Sequence, residues 1–494
     1  MQQVNRLSKK EISTIFHYTG DVCLLLGIAI LIPIIISLIY NEHNYIIPFL
    51  STSIITLIFG FTAKKFFKKG PNMSLKVAMV FSTVIWLIAS AVSALPFYFS
   101  GELSYLNAYF EALSGFTTTG FSMFTNLDGL SHTINFWRAF TQWLGGLGII
   151  FLVLALLRST GADVMRLYLA EGRDERLLPS VKHTTRTIVY IYVGLTGLAI
   201  FLFIIAGMPI FDSIFHAFTA LSTGGFGMHN SSLLYYNSIW IEIAAMIIMI
   251  MGATNFALHY TVIKGNWKEY FKDIETKVAF ALIIISTSLI TIMLLKNQVY
   301  GTDLLTNLRF GLFQAVSAIS TTGLQTAFYP DIITKWIGLG LFLITLLMII
   351  GAGSCSTGGG IKWLRFGILL KGMIWQVKSF ILPGKAIVPK KIHHVSELKI
   401  TDDVLRLTGA FVFTYFVVYI VSVILILIYY NDISQVIFEV ASALSNVGLS
   451  SGILTPDSPV LVKIVFMINF WMGRLEIWPV LLLIVITIQN TRRR

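Results

Sequence analysis

Four stretches of this sequence could do chemistry with their backbone. FEALSGFTTTGF (110–121), FHAFTALSTGGF (215–226), FQAVSAISTTGL (313–324) and FEVASALSNVGL (438–449) align without gaps on Gly120, Gly225, Gly323 and Gly448. Ten residues before each glycine stands Phe110, Phe215, Phe313 or Phe438, and six before it Ser114, Thr219, Ser317 or Ser442. Five before it comes a small residue (Gly115, Ala220, Ala318 or Ala443), and three before it Thr117, Ser222, Ser320 or Ser445. An extended run of Thr, Ser and Gly presents carbonyl oxygens. Four such runs around one axis stack those oxygens into rings that replace the hydration shell of a monovalent cation. Glycine permits the positive φ or close approach that keeps carbonyls turned inward. The candidate ion-binding residues are therefore Thr118, Thr119 and Gly120; Thr223, Gly224 and Gly225; Thr321, Thr322 and Gly323; and Asn446, Val447 and Gly448. No ring of carboxylates accompanies them, which argues against a divalent cation. Duplicated hydrophobic hairpins would also repeat, but the glycine register favours a pore.

Two further features carry chemistry. The run GAGSCSTGGGIK (351–362) holds five glycines, and each costs a helix about 1 kcal/mol relative to alanine, so the helix it follows is interrupted there. A phosphate-cradling loop is the competing reading, but GxxxxGK[ST] is absent and no strand precedes the run. Ser354 or Cys355 as a nucleophile would need a base within reach, and the apolar-segment histidines, His216 and His259, belong to other parts of the chain. Arg474 lies within the last apolar segment, where a charge is costly unless paired or facing water. Glu476, two residues on, faces elsewhere and is a poor intrahelical partner; an ion pair with another helix is the structural alternative. Weaker candidates read as structural. Glu242 reads as a hydrogen-bonder, and Glu111 and Glu439 as acceptors for backbone behind the glycine strands. Met246, Met249 and Met251 read as packing, and His393 and His394 as a solvated basic segment without further metal ligands at useful spacing.

The elements that must position these groups lie in a membrane. Of 494 residues 56% are hydrophobic and only 12% charged, with a mean hydropathy of +0.79. A soluble domain carries about 25% charge. A soluble enzyme, a disordered scaffold and a disulfide-built module are excluded; Cys23 and Cys355 lie far apart and imply no disulfide framework. Spanning segments, each about 20 apolar residues, read at 22–40, 46–63, 74–98, 134–157, 187–208, 237–262, 278–295, 333–350, 407–430 and 459–489. A second apolar piece follows near 361–376. The first segment is too long for a signal-peptide core and is retained. With the N-terminus cytoplasmic, the inner segments 1–21, 64–76, 158–186, 264–277, 362–406 and the tail hold 30 of the 36 Lys and Arg residues. That asymmetry places both termini in the cytoplasm and explains the net charge of +12 without nucleic acid. The pieces 105–116, 210–221, 307–319 and 433–444 are too short to span and read as re-entrant helices on the outer side. Asn107 and Asp212, thirteen residues before their glycines, read as their N-caps. The short helices aim partly negative C-terminal ends at the axis.

The unit, repeated four times, is helix, short re-entrant helix, glycine strand, helix. In these motifs the chain resembles, along essentially its whole length, the TrkH-type potassium uptake subunits of the Trk/Ktr/HKT superfamily of cation transporters. The resemblance implies an all-α integral membrane fold: four pseudo-symmetric helix–pore-helix–filter–helix repeats around one central pore, plus two extra N-terminal transmembrane helices. The divisions are 1–70 for the extra helices, then 71–160, 161–265, 266–375 and 376–494 for the repeats. Within that superfamily, glycine at all four anchor positions goes with potassium. The fourth strand, Asn446-Val447-Gly448, departs most from the pattern. The resemblance also implies a gate: an intramembrane loop built on Gly351, Gly353, Ser354, Gly358, Gly359 and Gly360, with Arg474 as a barrier or clasp beside it. It implies a potassium-selective uptake subunit, with potassium (and rubidium) as the transported ion, no covalently bound cofactor, no further metal and no enzyme activity. A sodium- or proton-coupled symporter is the alternative. It implies a prokaryotic cytoplasmic membrane, a homodimer, and a cytosolic nucleotide-binding ring of the TrkA type docking on the charged inner loops.

Overall fold

A computed structural model of the chain describes residues 7–68, 70, 73–148, 166, 181–327, 329–336, 338–381 and 390–491. The short segments fall where the sequence placed them. Helices Tyr105–Phe116, Ile210–Leu221 and Ile433–Leu444 match 105–116, 210–221 and 433–444, and Leu304–Ile319 begins three residues before 307. Their caps differ from expectation. Asn107 and Asp212 both lie inside their helices, whose cap positions are Ser104 and Pro209. Asn107 instead accepts from the Lys463 ammonium at 2.8 Å, and Asp212 from the Tyr236 hydroxyl at 2.7 Å. A polar side chain near a helix start serves whichever donor the fold brings close. Side-chain caps do form on the other two short helices, through Asp303 to Thr306 N (2.9 Å) and Asp432 to Ser434 N (3.0 Å).

Six described helices are long and apolar enough to cross a membrane: Lys9–Ile39, His43–Phe66, Leu75–Phe99, His183–Ile205, Ile274–Lys296 and Asp402–Leu427. The remaining four expected spans are the second helix of each repeat, and each stops short. His132–Leu147 ends at Gly148, whose φ is +89°, and the rest of the 134–157 span lies outside the described residues, as does most of the inner loop 158–186. The 237–262 and 459–489 segments, expected to be continuous, are pairs. Ile239–Ala253 meets Phe256–Ile263 at 105°, and Val460–Arg474 meets Trp478–Gln489 at 118°. In the third repeat Leu339–Ile350 gives way to the glycine-rich loop before Trp363–Ile381.

One packing rule explains three of these breaks. A Cβ built on Gly145 would overlap the Phe116 carbonyl, one on Gly252 the Leu221 carbonyl, and one on Gly473 the Leu444 carbonyl. Each of those carbonyls belongs to the last residue of a short helix. The second helix of each of these repeats therefore runs its backbone against the end of the short helix, at a spot only glycine fits. Phe110, Phe215, Phe313 and Phe438 are all buried and fix the short helices in the core. The two N-terminal helices pack as membrane pairs do, small residue on small residue. Gly20 of Lys9–Ala29 faces the Gly60 carbonyl of Ile46–Phe66, and Ser53 donates to the Gly27 carbonyl at 2.7 Å. A two-stranded antiparallel hairpin, 391–399, was not foreseen and pairs Lys391 with Lys399.

Gly473→Ala should destabilise the detergent-solubilised protein by about 1–3 kcal/mol, the cost of an overpacked core site, and so lower its melting temperature. Gly409→Ala, where a Cβ meets nothing within 4 Å, should leave it unchanged or slightly raised. Equal melting temperatures for the two variants, followed by tryptophan fluorescence, would contradict the packing rule.

Candidate functional site

Each short helix ends in the same way. Thr118, Thr223, Thr321 and Asn446, two residues before the anchor glycines, have φ of +53°, +53°, +56° and +55°. The next amide reaches back to the hydroxyl-bearing residue of the motif: Thr119 N to Ser114 O (2.9 Å), Gly224 N to Thr219 O (2.8 Å), Thr322 N to Ser317 O (3.0 Å) and Val447 N to Ser442 O (2.9 Å). The left-handed residue itself bonds three back, Thr118 N to Gly115 O at 3.0 Å and likewise in the other repeats. These paired bonds are the Schellman closure. They turn the chain sharply out of the helix and into an extended run.

The anchor glycines follow with φ of +90°, +69°, +83° and +90°. A Cβ on Gly120 would overlap the Gly224 carbonyl oxygen, on Gly225 that of Thr322, on Gly323 that of Val447, and on Gly448 that of Thr119. The contacts run from repeat one to two, three, four and back to one. Four strands thus close a ring in which each glycine abuts the carbonyl preceding the next glycine. Gln142 clamps one strand from behind, donating to Gly224 O at 2.7 Å and accepting from Phe226 N at 3.1 Å. In the fourth strand the Asn446 amide donates to Thr119 Oγ1 and to Phe470 O, both at 2.9 Å.

The loop 351–362 lies against the ends of the strands that leave the short helices. Thr357 donates to Gly252 O (2.9 Å) and Leu221 O (3.1 Å) and sits 3.1 Å from the Thr223 hydroxyl. Gly359 N donates to Thr321 Oγ1 at 3.0 Å, and a Cβ at Gly359 would lie 3.0 Å from Asn446 Oδ1. Gly358 is as confined: a Cβ there would meet Thr321 Oγ1 at 2.5 Å and Ser320 O at 3.1 Å. Gly351 and Gly360 turn the chain at φ of +75° and +78°, while Gly353 N bonds Ala253 O at 2.9 Å. Arg474 ends its half-helix at the break rather than lying mid-span. It donates to Thr357 O (2.5 Å), Gly145 O (2.6 Å), Gly146 O (3.2 Å) and Thr118 Oγ1 (3.4 Å). One guanidinium thereby joins the loop, the first repeat's break and the first glycine strand. Glu476 does turn elsewhere, to an ion pair with Arg365.

Glu275, Gln142 and Arg138 escaped the sequence reading, and the weaker candidates it named take definite partners. Glu275 holds Ser354 by its amide (2.7 Å) and hydroxyl (2.8 Å). His259 bonds Met251 O at 2.8 Å. Glu111 is buried with Arg138 at 2.8 Å and accepts from Met123 N at 2.6 Å; Glu439 accepts from Ser450 Oγ at 2.7 Å and from Ser451 N. Both glutamates hold the chain leaving the glycine strand, as expected of them. Glu242 is ion-paired, its carboxylate meeting Arg309 at 2.6 Å. His394 departs most from expectation. It is buried within the hairpin, its ligand atom within 4.8 Å of those of Asp273 and Glu275. The carboxylates the sequence lacked nearby come from 120 residues upstream. Lone charges or amides in apolar segments, Gln142 and Arg138 among them, were the one signal available for these partners.

Comparison with known proteins bears on this arrangement. The family model for TrkH, described as cation transport protein, matches residues 47–492. An uncharacterized cation transporter of Methanocaldococcus jannaschii is 36% identical over 97% of this chain and 96% of its own. The Trk system potassium uptake protein TrkH of Escherichia coli is 32% identical over 95% and 97%. The crystal structure of the potassium transporter TrkH from Vibrio parahaemolyticus superposes with a TM-score of 0.85 at 26% identity, covering 96% of this chain and 98% of that one.

Glu111→Ala should strand the Arg138 guanidinium in the core and cost roughly 3–5 kcal/mol of stability. Glu439→Ala leaves hydroxyl and amide donors instead and should cost about 1–3 kcal/mol. Thermal unfolding of both variants in the same detergent tests the order, which would be refuted by a larger loss at Glu439.

Proposed function

This chain belongs to the TrkH family of cation transport proteins, and on that premise we propose that it is the potassium-conducting subunit of an uptake system. Several relatives are named potassium uptake proteins of a Trk system. The observation that carries the reading is the closed ring of Gly120, Gly225, Gly323 and Gly448, each pressed on the carbonyl of the neighbouring strand. Carbonyl oxygens of Thr118, Thr119, Thr223, Gly224, Thr321, Thr322, Asn446, Val447 and the four glycines line the ion path and exchange for water around potassium, and for rubidium equally. A side chain at any of the four glycines would displace a neighbouring carbonyl.

The loop of Gly351, Gly353, Ser354, Gly358, Gly359 and Gly360 acts as the gate, closing the path beneath the ring. Arg474 clasps it through Thr357 and places a positive charge where a cation must pass. The family is one of transporters, and Ser354 and Cys355 carry no reaction chemistry in this reading. The protein sits in a prokaryotic cytoplasmic membrane with both termini inside, works as a homodimer, and answers to a cytosolic nucleotide-binding ring of the TrkA type. The Trk-system names of its relatives support a multi-component assembly.

The test is rubidium-86 uptake into liposomes holding the purified protein, with potassium, sodium and lithium as competitors. Potassium should compete fully and sodium hardly at all, and Gly120→Ser should erode that difference. Removing part of 351–360, or replacing Arg474 with alanine, should raise uptake without a regulator. Equal competition by sodium would replace the reading with a nonselective or sodium-coupled transporter, and no flux after loop removal would refute the pore.

A further inference from the structure

The glycine-rich loop is held from the inner face as well as from the ring, and the holding chain is continuous. Ser354, in the loop, gives its amide and hydroxyl to one oxygen of Glu275 at 2.7 and 2.8 Å. Glu275 N is in turn held by Asp273 Oδ1 at 2.8 Å. The other Asp273 oxygen takes Val395 N at 2.7 Å and His394 Nδ1 at 3.1 Å, both in the hairpin 391–399. Beside it His393 Nε2 meets Glu269 Oε2 at 2.7 Å. Asp273, Glu275 and His394 are all buried. Ile392 of the hairpin and Ile400 just after it pack with Ile274, Ile368 and Trp375. The hairpin therefore grips both the helix that carries Glu275 and Trp363–Ile381, the helix that leaves the loop. His394, Asp273 and Glu275 could be read as a cation site. Glu275 Oε1, both Asp273 oxygens and His394 Nδ1 already take part in the bonds above, and through them the group links the hairpin to the loop.

We propose that the hairpin 391–399 and the loop 351–362 form one mechanical unit, with Glu275 as the positioning residue that transmits displacement of the hairpin to Ser354. The inference rests on the reading of the loop as a gate for its consequence, though not for its geometry. A bond between a backbone amide and a buried carboxylate is strong and short in reach. A shift of the start of Ile274–Lys296 by the length of one hydrogen bond breaks it. Asp273, Glu275 and Ser354 span the distance from hairpin to loop in three residues. The exposed strand Ser396–Lys399 leaves the unit open to a push from the inner side.

The loop carries its own reporter. Cys355 follows Ser354, and the other cysteine, Cys23, is fully buried. In a Cys23→Ala background, the rate at which a membrane-impermeant maleimide labels Cys355 in proteoliposomes reads loop release directly, and rubidium-86 uptake reads its consequence. Glu275→Ala, and separately a Gly-Ser linker of equal length in place of 391–399, should each speed labelling by roughly ten-fold, the factor one lost charge-assisted bond gives. Glu275→Gln, which keeps an acceptor, should restore most of the slow labelling, and Ser354→Ala should fall between. Unchanged labelling in Glu275→Ala and Glu275→Gln proteins that melt like the parent would overturn the coupling. So would faster labelling in Glu275→Ala with no change on hairpin replacement. Faster labelling with no rise in uptake, where loop removal also fails to raise uptake, would leave the coupling standing and sink the gate.

Discussion

A left-handed residue at the end of each short helix is the constraint on which this structure depends. Thr118, Thr223 and Thr321 hold positive φ in a place where a β-branched residue pays about 1–2 kcal/mol for it, and Asn446, a residue type that enters this region more readily, takes the same place in the fourth repeat. Strain of that kind persists only where surrounding bonds over-determine the backbone. The paired amides that return to Ser114, Thr219, Ser317 and Ser442 do so here. The turn ends the helix abruptly, points its carbonyl end inward and launches the chain as an extended strand. Had the turn been glycine it would have been easy, and mobile. A threonine there offers a hydroxyl on the loop side as well, and Thr321 uses its hydroxyl to hold Gly359.

From that turn the rest follows by exclusion of water and of side chains. An extended strand at membrane depth must find every backbone partner within the protein or line water. The anchor glycines let four strands approach until each meets its neighbour's carbonyl. A second set of glycines, Gly145, Gly252 and Gly473, lets the following helices lie on the ends of the short ones. Those helices then break, and the breaks free the carbonyls of Gly145, Gly146 and Gly252 for Arg474 and Thr357. Irregular backbone in one layer supplies acceptors to the next.

Symmetry is broken in the third and fourth repeats, where the loop and Arg474 lie. The third break is extended by about a dozen residues, and that excess lies against Thr223, Thr321 and Asn446 where their strands begin. The fourth strand carries Asn446, whose amide ties it sideways to Thr119 and Phe470 instead of leaving a small hydroxyl. Arg474 closes the fourth break. A guanidinium presents several donors in a fixed fork, so it can bind the loop and the first repeat at once.

The sequence by itself determined the membrane class, the fourfold repeat and three of the four short helices to the residue. The reasons are local: apolar length, the distribution of Lys and Arg, and a glycine register that tolerates no shift. It also located the interrupted helix at 351–362 and the lone charge at Arg474. The tertiary structure alone decided how these parts meet. The bend in 237–262 leaves little mark in hydropathy and the one in 459–489 shows only as the charges Arg474 and Glu476, because the halves are apolar and the cause is a carbonyl from a distant short helix. The partners of Arg474 are backbone oxygens, which carry no residue signature. His394 reads as solvated beside its basic neighbours, yet it is buried against an aspartate 121 residues away. Periodicity reports what each segment wants of its surroundings. Which surroundings it receives depends on contacts between segments far apart in the chain, and those exist only once the ring has closed.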